Sequence, residues 1–239
     1  MSFKEGDFVE IAYSAWRAAD NTLLATTDEK LAKDKNIYNA EDAKLIYRPQ
    51  LVVIGKGDVI KGVEDAVKNM NVGEEKKVEI EPKDAFGERD PSLVKVIALS
   101  EFTRRGIDPY PGMEIDINGA KAVVKSVNSG RVVVDENHEL AGEKLVYQIK
   151  IVDKIENDDE KIKAISRKLG LDPSKVAVEG SKANIEFGDS TEKTAEYEGR
   201  KSTLPNYIFR YMPNIDTVEI KDTYKKPKEQ KESENVANK

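Results

Sequence analysis

Three glycines, Gly55, Gly57 and Gly62, are the first residues of this chain whose spacing could do chemistry, because glycine lets a backbone close around a phosphate. Their pattern reads G-x-G-x-x-x-x-G. It is not the G-x-G-x-x-G of a dinucleotide-binding turn, and no Gly-Lys-Ser/Thr follows to make a phosphate loop. Cysteine is absent, which removes disulfides, thiolate metal sites and cysteine nucleophiles. The single histidine, His138, stands beside Asn137 and reads as a turn residue satisfied by backbone. The expectation is therefore no metal and no cofactor.

The elements that must position these glycines run from residue 54 to 87, IGKGDVIKGVEDAVKNMNVGEEKKVEIEPKDAFG. Val59, Ile60, Val63, Ala66, Val67 and Met70 fall at helical spacings, so about three turns bury one face. Asn71 to Gly73 supplies the stop, with Gly73 free to take positive φ. Val78 and Ile80 then alternate with Lys77, Glu79 and Glu81, the period of a half-buried strand. On periodicity alone this is one helix on one sheet.

Before that run, DFVEIAY (7–13) alternates as a strand that continues over 14–24 through a turn at Asn21-Thr22. Residues 25–50 are polar and read as a long surface loop, with a short helix near Glu29–Lys35. Leu51 to Ile54 is an apolar strand. After it come VKVIAL, a helical turn SEFTRRG, and the strands MEIDI, AKAVVKSV and RVVVD. Asn118-Gly119 and Asn128-Ser129-Gly130 are hairpin signals. Residues 145–155 read as one long strand. In the last third, Ile162, Ile165 and Leu169 make a helix stripe closed by Gly170. Val176 and Val178, then Ala183, Ile185 and Phe187, make two strands. A helical stretch from Thr191 is interrupted near Pro205, and Val218 and Ile220 mark a final strand. The tail 225–239 is almost wholly polar and reads as disordered.

Composition narrows the function classes. The 239 residues hold 45 acidic and 39 basic side chains, a net charge of −6, which argues against a general nucleic-acid binder. MSFKEGDFVEIAY has no apolar signal region, and no segment approaches the ~18 apolar residues of a membrane span. The expectation is a cytoplasmic protein with no membrane or nucleic-acid partner.

Taken together, IGKGDVIKGVEDAV, VGEEKKVEI, AFGERDP, SEFTRRG and VVVDENHELAG resemble the FKBP-type peptidyl-prolyl cis-trans isomerases, specifically the SlyD-like branch. The resemblance spans about residues 7–155. It implies an α+β fold: an FKBP-like antiparallel sheet wrapped on one short helix (1–87 and 137–156), a β-rich insert-in-flap domain (88–136), and a small α+β C-terminal domain (157–224) like that of longer archaeal members. It also implies catalysed rotation about X–Pro bonds of unfolded or partly folded polypeptides; the alternative is a holdase that binds without catalysis.

The same resemblance implies a pocket lined by Tyr13, Leu24, Ala25, Val59, Ile60, Val63, Phe86, Leu140 and Tyr147, with the Ile60 N–H as donor to a substrate carbonyl. Three positions depart from the family pattern. Ala25 stands where many members have Asp, Val63 where many have Trp or Leu, and Phe86 where many have Tyr. The resemblance further assigns capture of unfolded chains to the insert, through Val94, Val96, Ile97, Leu99, Phe102, Ile107, Tyr110 and Met113. Finally, the cluster Tyr207, Ile208, Phe209, Tyr211 and Met212 is dense for so small a domain, and suggests a homodimer through residues 157–224. The rival reading is that the cluster folds back onto the isomerase domain as a rigid extension, or adds another chaperone surface.

Overall fold

The computed structural model describes residues 2–117, 119–188 and 194–224. The Asn118 half of the first hairpin signal, the start of the last helical stretch at Thr191, and the polar tail 225–239 lie outside the described residues.

In chain order, β1 (Phe8–Arg17) turns at Asn21, whose φ of 57° suits asparagine, into β2 (Leu23–Thr26). Helices α1 (Glu29–Asp34) and α2 (Ala43–Ile46) precede β3 (Gln50–Val53), α3 (Lys61–Lys68) and β4 (Glu75–Ile80). Next come β5 (Val94–Ala98), α4 (Leu99–Arg104), β6 (Glu114–Ile117), β7 (Ala120–Asn128) and β8 (Arg131–Asp135). The chain then runs through β9 (Leu145–Ile155), α5 (Asp158–Lys168), β10 (Lys175–Glu179), β11 (Lys182–Phe187), α6 (Ala195–Tyr211) and β12 (Thr217–Asp222). No helix among the described residues is long and apolar enough to cross a membrane.

The spine is β1. It pairs antiparallel with β9 along its whole length, and on its other edge with β3 near its start and β2 near its end; β4 closes the far side of β9. Strand alternation gives this sheet two apolar faces. Val9, Ile11, Val52, Ile54, Ile149 and Ile151 bury against Val63 and Val67 of α3 and against Met70. Phe8, Leu51, Val53 and Ile155 point the other way, into a core shared with α5, β10, β11 and α6. A third core, Phe102, Ala122, Val124, Val132 and Val134, belongs to the separate sheet β5-β8-β7-β6. The architecture is α+β and mostly antiparallel, with one parallel pair, β11 and β12.

Three sequence expectations are corrected. Residues 25–50 hold the helix expected near Glu29–Lys35, α1, capped by the Asp28 side chain on the Leu31 N–H (3.0 Å) and burying Ala32, but also an unexpected second one, α2, where loop was expected before β3. The helix expected from Val59 starts only at Lys61, because Ile60 is extended (φ −61°, ψ 150°) and acts as the N-cap. Pro205 does not interrupt the last helix, which runs from Ala195 to Tyr211 with the proline inside it. A mid-helix proline costs about 3 kcal/mol. Leu204 and Ile208, both fully buried beside it, offset this with about 1.5–3 kcal/mol each.

The cluster read as a dimer surface is largely spent within one chain. Ile208, Tyr211 and Met212 are buried, with the Tyr211 ring edge-on to Phe8 at 6.3 Å, while Phe209 stays 42% exposed.

Candidate active site

The three glycines serve backbone geometry and packing. Gly57 holds φ 69° in the turn before α3. Gly62 lies against β4, where an added Cβ would sit 2.4 Å from Ile80 Cγ2. The absence of a side chain at 62 lets α3 press onto the sheet and opens its first turn, with Val59 and Ile60, toward the concave side of β1 and β9.

A cleft of about 410 Å³ opens there, lined by Ile11, Tyr13, Gly57, Asp58, Val59, Ile60, Val63 and Tyr147. Five of the nine residues expected in the pocket thus converge: Tyr13, Val59, Ile60, Val63 and Tyr147. Tyr13 and Tyr147 face each other across β1 and β9, rings stacked at 5.9 Å and 29°. Burial raises the Tyr13 hydroxyl above its ordinary value of 10.0. Burial, with the neighbouring Tyr13 second, pushes Tyr147 up to about 12. Both therefore keep their protons throughout the neutral range, and neither hydroxyl has a hydrogen-bond partner among the described residues. The Ile60 N–H likewise finds no backbone acceptor there, whereas its carbonyl accepts from Val63 and Glu64. The site presents apolar walls, two tyrosine hydroxyls and the N–H groups of Gly57, Asp58, Val59 and Ile60, none with an acceptor among the described residues, and its lining holds no serine, cysteine or histidine.

Leu24, Ala25, Phe86 and Leu140 stand outside this lining. Ala25 lies across from Ala15 on the β1–β2 ladder. Where the resemblance expects a carboxylate, the threonines that follow hold Tyr13 by its backbone instead: the Tyr13 N–H donates to Thr27 Oγ1 at 3.0 Å, and the Thr27 N–H donates to the Tyr13 carbonyl at 2.9 Å. The Phe86 ring stacks flat on His138 at 4.2 Å. His138 Nδ1 accepts the Leu140 N–H at 3.1 Å, which makes it the turn residue its neighbours suggested. The lining residues that sequence reasoning missed are Ile11, Gly57 and Asp58. Ile11 was legible as the inward partner of Tyr13 two residues on. Asp58 carried no signal, because its side-chain partners, Lys168 and Tyr211, lie more than 100 positions away.

The insert joins the flap through paired seams. Asn137 accepts the Asp90 N–H (2.8 Å) and donates to the Asp90 carbonyl (2.9 Å), while Arg89 pairs with buried Asp135. Of its expected client-binding residues, Phe102 is buried, and Ile97, Leu99, Ile107 and Met113 pack on the insert's own core. Val94, Val96 and Tyr110 face outward, the last two 63% and 62% exposed.

Comparison with known proteins agrees with this architecture. Residues 95–140 match the family model described as FKBP26, IF domain. A short-type peptidyl-prolyl cis-trans isomerase from Methanocaldococcus jannaschii is 37% identical over 150 residues, covering 63% of this chain and 92% of the relative. A probable FKBP-type 16 kDa peptidyl-prolyl cis-trans isomerase from Pseudomonas fluorescens is 31% identical over 44% of this chain and 72% of its own. The FKBP-type peptidyl-prolyl cis-trans isomerase SlyD from Helicobacter pylori is 29% identical over 52% and 68% respectively. The fold is that of an FKBP-type prolyl isomerase carrying an insert-in-flap domain. The chain belongs to the FKBP-type peptidyl-prolyl cis-trans isomerase family.

Proposed function

We propose that this chain catalyses cis–trans isomerisation of X–Pro bonds in unfolded or partly folded polypeptides, at the cleft between α3 and the β1–β9 pair. The observation that carries this reading is the convergence of Tyr13, Val59, Ile60, Val63 and Tyr147 around one concave site. Rotation about the bond faces a barrier of roughly 18–20 kcal/mol because amide resonance must break. The twisted amide has less charge separation than the planar one, so an apolar enclosure favours it over the ground state. Val59, Ile60 and Val63 form the floor under the proline ring, the two tyrosines wall it, and the Ile60 N–H holds a flanking carbonyl. Leu24, Ala25, Phe86 and Leu140 belong to the rim that a bound chain meets as it enters.

Exchange NMR on a proline tetrapeptide tests the reading. The full chain at micromolar concentration is expected to speed cis–trans exchange by at least about tenfold, the effect of 1.4 kcal/mol. Line shapes that report binding without faster exchange would leave only the holdase.

We divide the chain into 1–87 with 137–156 as the isomerase domain, 88–136 as the insert and 157–224 as a C-terminal α+β domain; the separate core of the insert supports the second, while Phe8, Leu51, Val53 and Ile155 share a core with the third. We read the insert as the first contact for unfolded clients, through the outward Val94, Val96 and Tyr110. Replacing both Val96 and Tyr110 with Ser is expected to leave tetrapeptide exchange unchanged and to slow refolding of a proline-limited protein about threefold or more, since exposed apolar groups are what such a client meets. Equal refolding rates would refute the assignment. A homodimer through residues 157–224 would use the face that leaves Phe209 exposed. A light-scattering mass that stays near 26.7 kDa over a wide concentration range would exclude it.

A further inference from the structure

Directly behind the cleft floor, the C-terminal region reaches into the loop that carries Val59 and Ile60. The Asp58 side chain is only 6% exposed, although it is a carboxylate. One oxygen accepts the Val53 N–H at 2.9 Å, at the end of β3. The other accepts the Tyr211 hydroxyl at 2.6 Å and pairs with the Lys168 ammonium at 3.1 Å. Lys168 also donates to the Leu51 carbonyl at 3.2 Å, and Arg210 donates to the Lys56 carbonyl at 2.5 Å. Lys168 and Arg210 each stand 5.6 Å from the centre of the Tyr211 ring. Burial, and then the bond to Asp58, raise the Tyr211 hydroxyl far above the ordinary tyrosine value, so it acts as donor.

A buried carboxylate must be met by donors wherever it sits, and removing one leaves it short. Two of its three donors here, Lys168 and Tyr211, come from the ends of α5 and α6, about 110 and 153 positions away in sequence. Asp58 itself lines the cleft and immediately precedes Val59 and Ile60. Gly57, the residue before it, needs φ 69° and so gives the loop little stiffness of its own.

We propose that Tyr211 and Lys168 are positioning residues for the isomerase cleft: acting through Asp58, the C-terminal region sets the placement of the loop that presents Val59 and the Ile60 N–H. The proposal rests on the isomerase reading for its catalytic consequence but not for the placement itself. It gives residues 157–224 a role in catalysis beyond that of a passive extension. Because the loop touches the flanking peptide in ground and transition states alike, loosening it raises KM more than it lowers kcat.

The test uses the full chain with Tyr211→Phe, Lys168→Met and, as a rescue, Lys168→Arg. Thr203→Ala, on an exposed part of α6, serves as control. Tyr211→Phe and Lys168→Met are each expected to raise KM for a proline tetrapeptide roughly five- to tenfold with kcat within about twofold, and to shift the backbone amides of Gly57–Val63. Lys168→Arg restores at least part of the loss, and Thr203→Ala changes nothing. A merely structural role would lower the urea midpoint without moving KM of the folded fraction. Unmoved loop amides together with unchanged KM in folded Tyr211→Phe would overturn the proposal. A wild-type chain without catalysis would instead sink the isomerase reading. The placement is then judged from the same amide shifts and from Kd for the same tetrapeptide, which must weaken in both variants for the proposal to stand.

Discussion

Replacing Ile60 with proline is expected to lower kcat/KM for a proline tetrapeptide by one to two orders of magnitude, about the cost of deleting one preorganised donor at a reacting amide. The substitution is unusually clean because Ile60 already holds φ −61°, the value a proline ring enforces, and because it precedes the first helical residue. Its N–H serves no backbone acceptor in the fold, so the fold loses no bond when it goes. Its carbonyl, which accepts from Val63 and Glu64, is retained. The side chain is lost as well, so Ile60→Ala provides the comparison. The alanine variant keeps the donor and loses only apolar floor, and is expected to fall about three- to tenfold, the worth of a few methyl groups in a pocket. Exchange NMR on the three proteins, each shown to be folded by its amide spectrum, separates the two terms. Equal rates for the proline and alanine variants would show that the amide does not serve as the donor.

The second large effect concerns stability. Phe8→Ala is expected to cost about 3–5 kcal/mol in urea denaturation, the range for removing a fully enclosed phenylalanine. Phe8 is 2% exposed on β1, edge-on to Tyr211, with the Lys161 ammonium 5.5 Å from its ring centre. It is one of four residues, with Leu51, Val53 and Ile155, through which the isomerase sheet enters the core of the C-terminal helices. The cavity it leaves therefore lies on the seam, and hydrogen exchange is expected to quicken first at the amides of α5 and α6. Amides of Val124 and Val132 should keep their protection, because the insert core shares no residue with that seam. A loss under about 1 kcal/mol, or equal loss of protection in the insert, would contradict this account of the docking.

Much of the isomerase sheet was legible in sequence because it is built from local signals. Alternation over 7–13 and 77–81, and the long apolar-rich run 145–155, were enough to place β1, β4 and β9. Motif order then supplied the pairing that alternation cannot. The helix was legible as a helix but not at its first residue: Val59 and Ile60 fit the apolar period, yet both precede Lys61, with Ile60 extended as the N-cap and Gly57 at positive φ in the turn before it. Within 25–50, α1 was legible near Glu29–Lys35, whereas α2 was missed because it is a single turn with no buried side chain to give it a period. Pro205 was misread because propensity is local, whereas the burial of Leu204 and Ile208 that overrides it is not. Of the pocket, motif matching reached the five residues on α3, β1 and β9. Leu24, Ala25, Phe86 and Leu140 fall outside that lining; Phe86 and Leu140 both engage His138 instead, through its ring and its Nδ1.

What the sequence by itself determined is whatever a short stretch of chain decides through its own period, turns and excluded chemistry. That comprises the strands of the sheet, the apolar character of the cleft, the absence of a thiol nucleophile, and the family. The tertiary structure decided where two apolar faces of one strand would go. Phe8 and Val9 are adjacent and equally hydrophobic, yet one enters the C-terminal core and the other the core under α3. It also decided that Asp58, an unremarkable polar residue in a turn, would be buried and held by Tyr211 and Lys168. Burial and charge pairing are properties of groups brought together from distant positions, and no local pattern encodes which groups those will be.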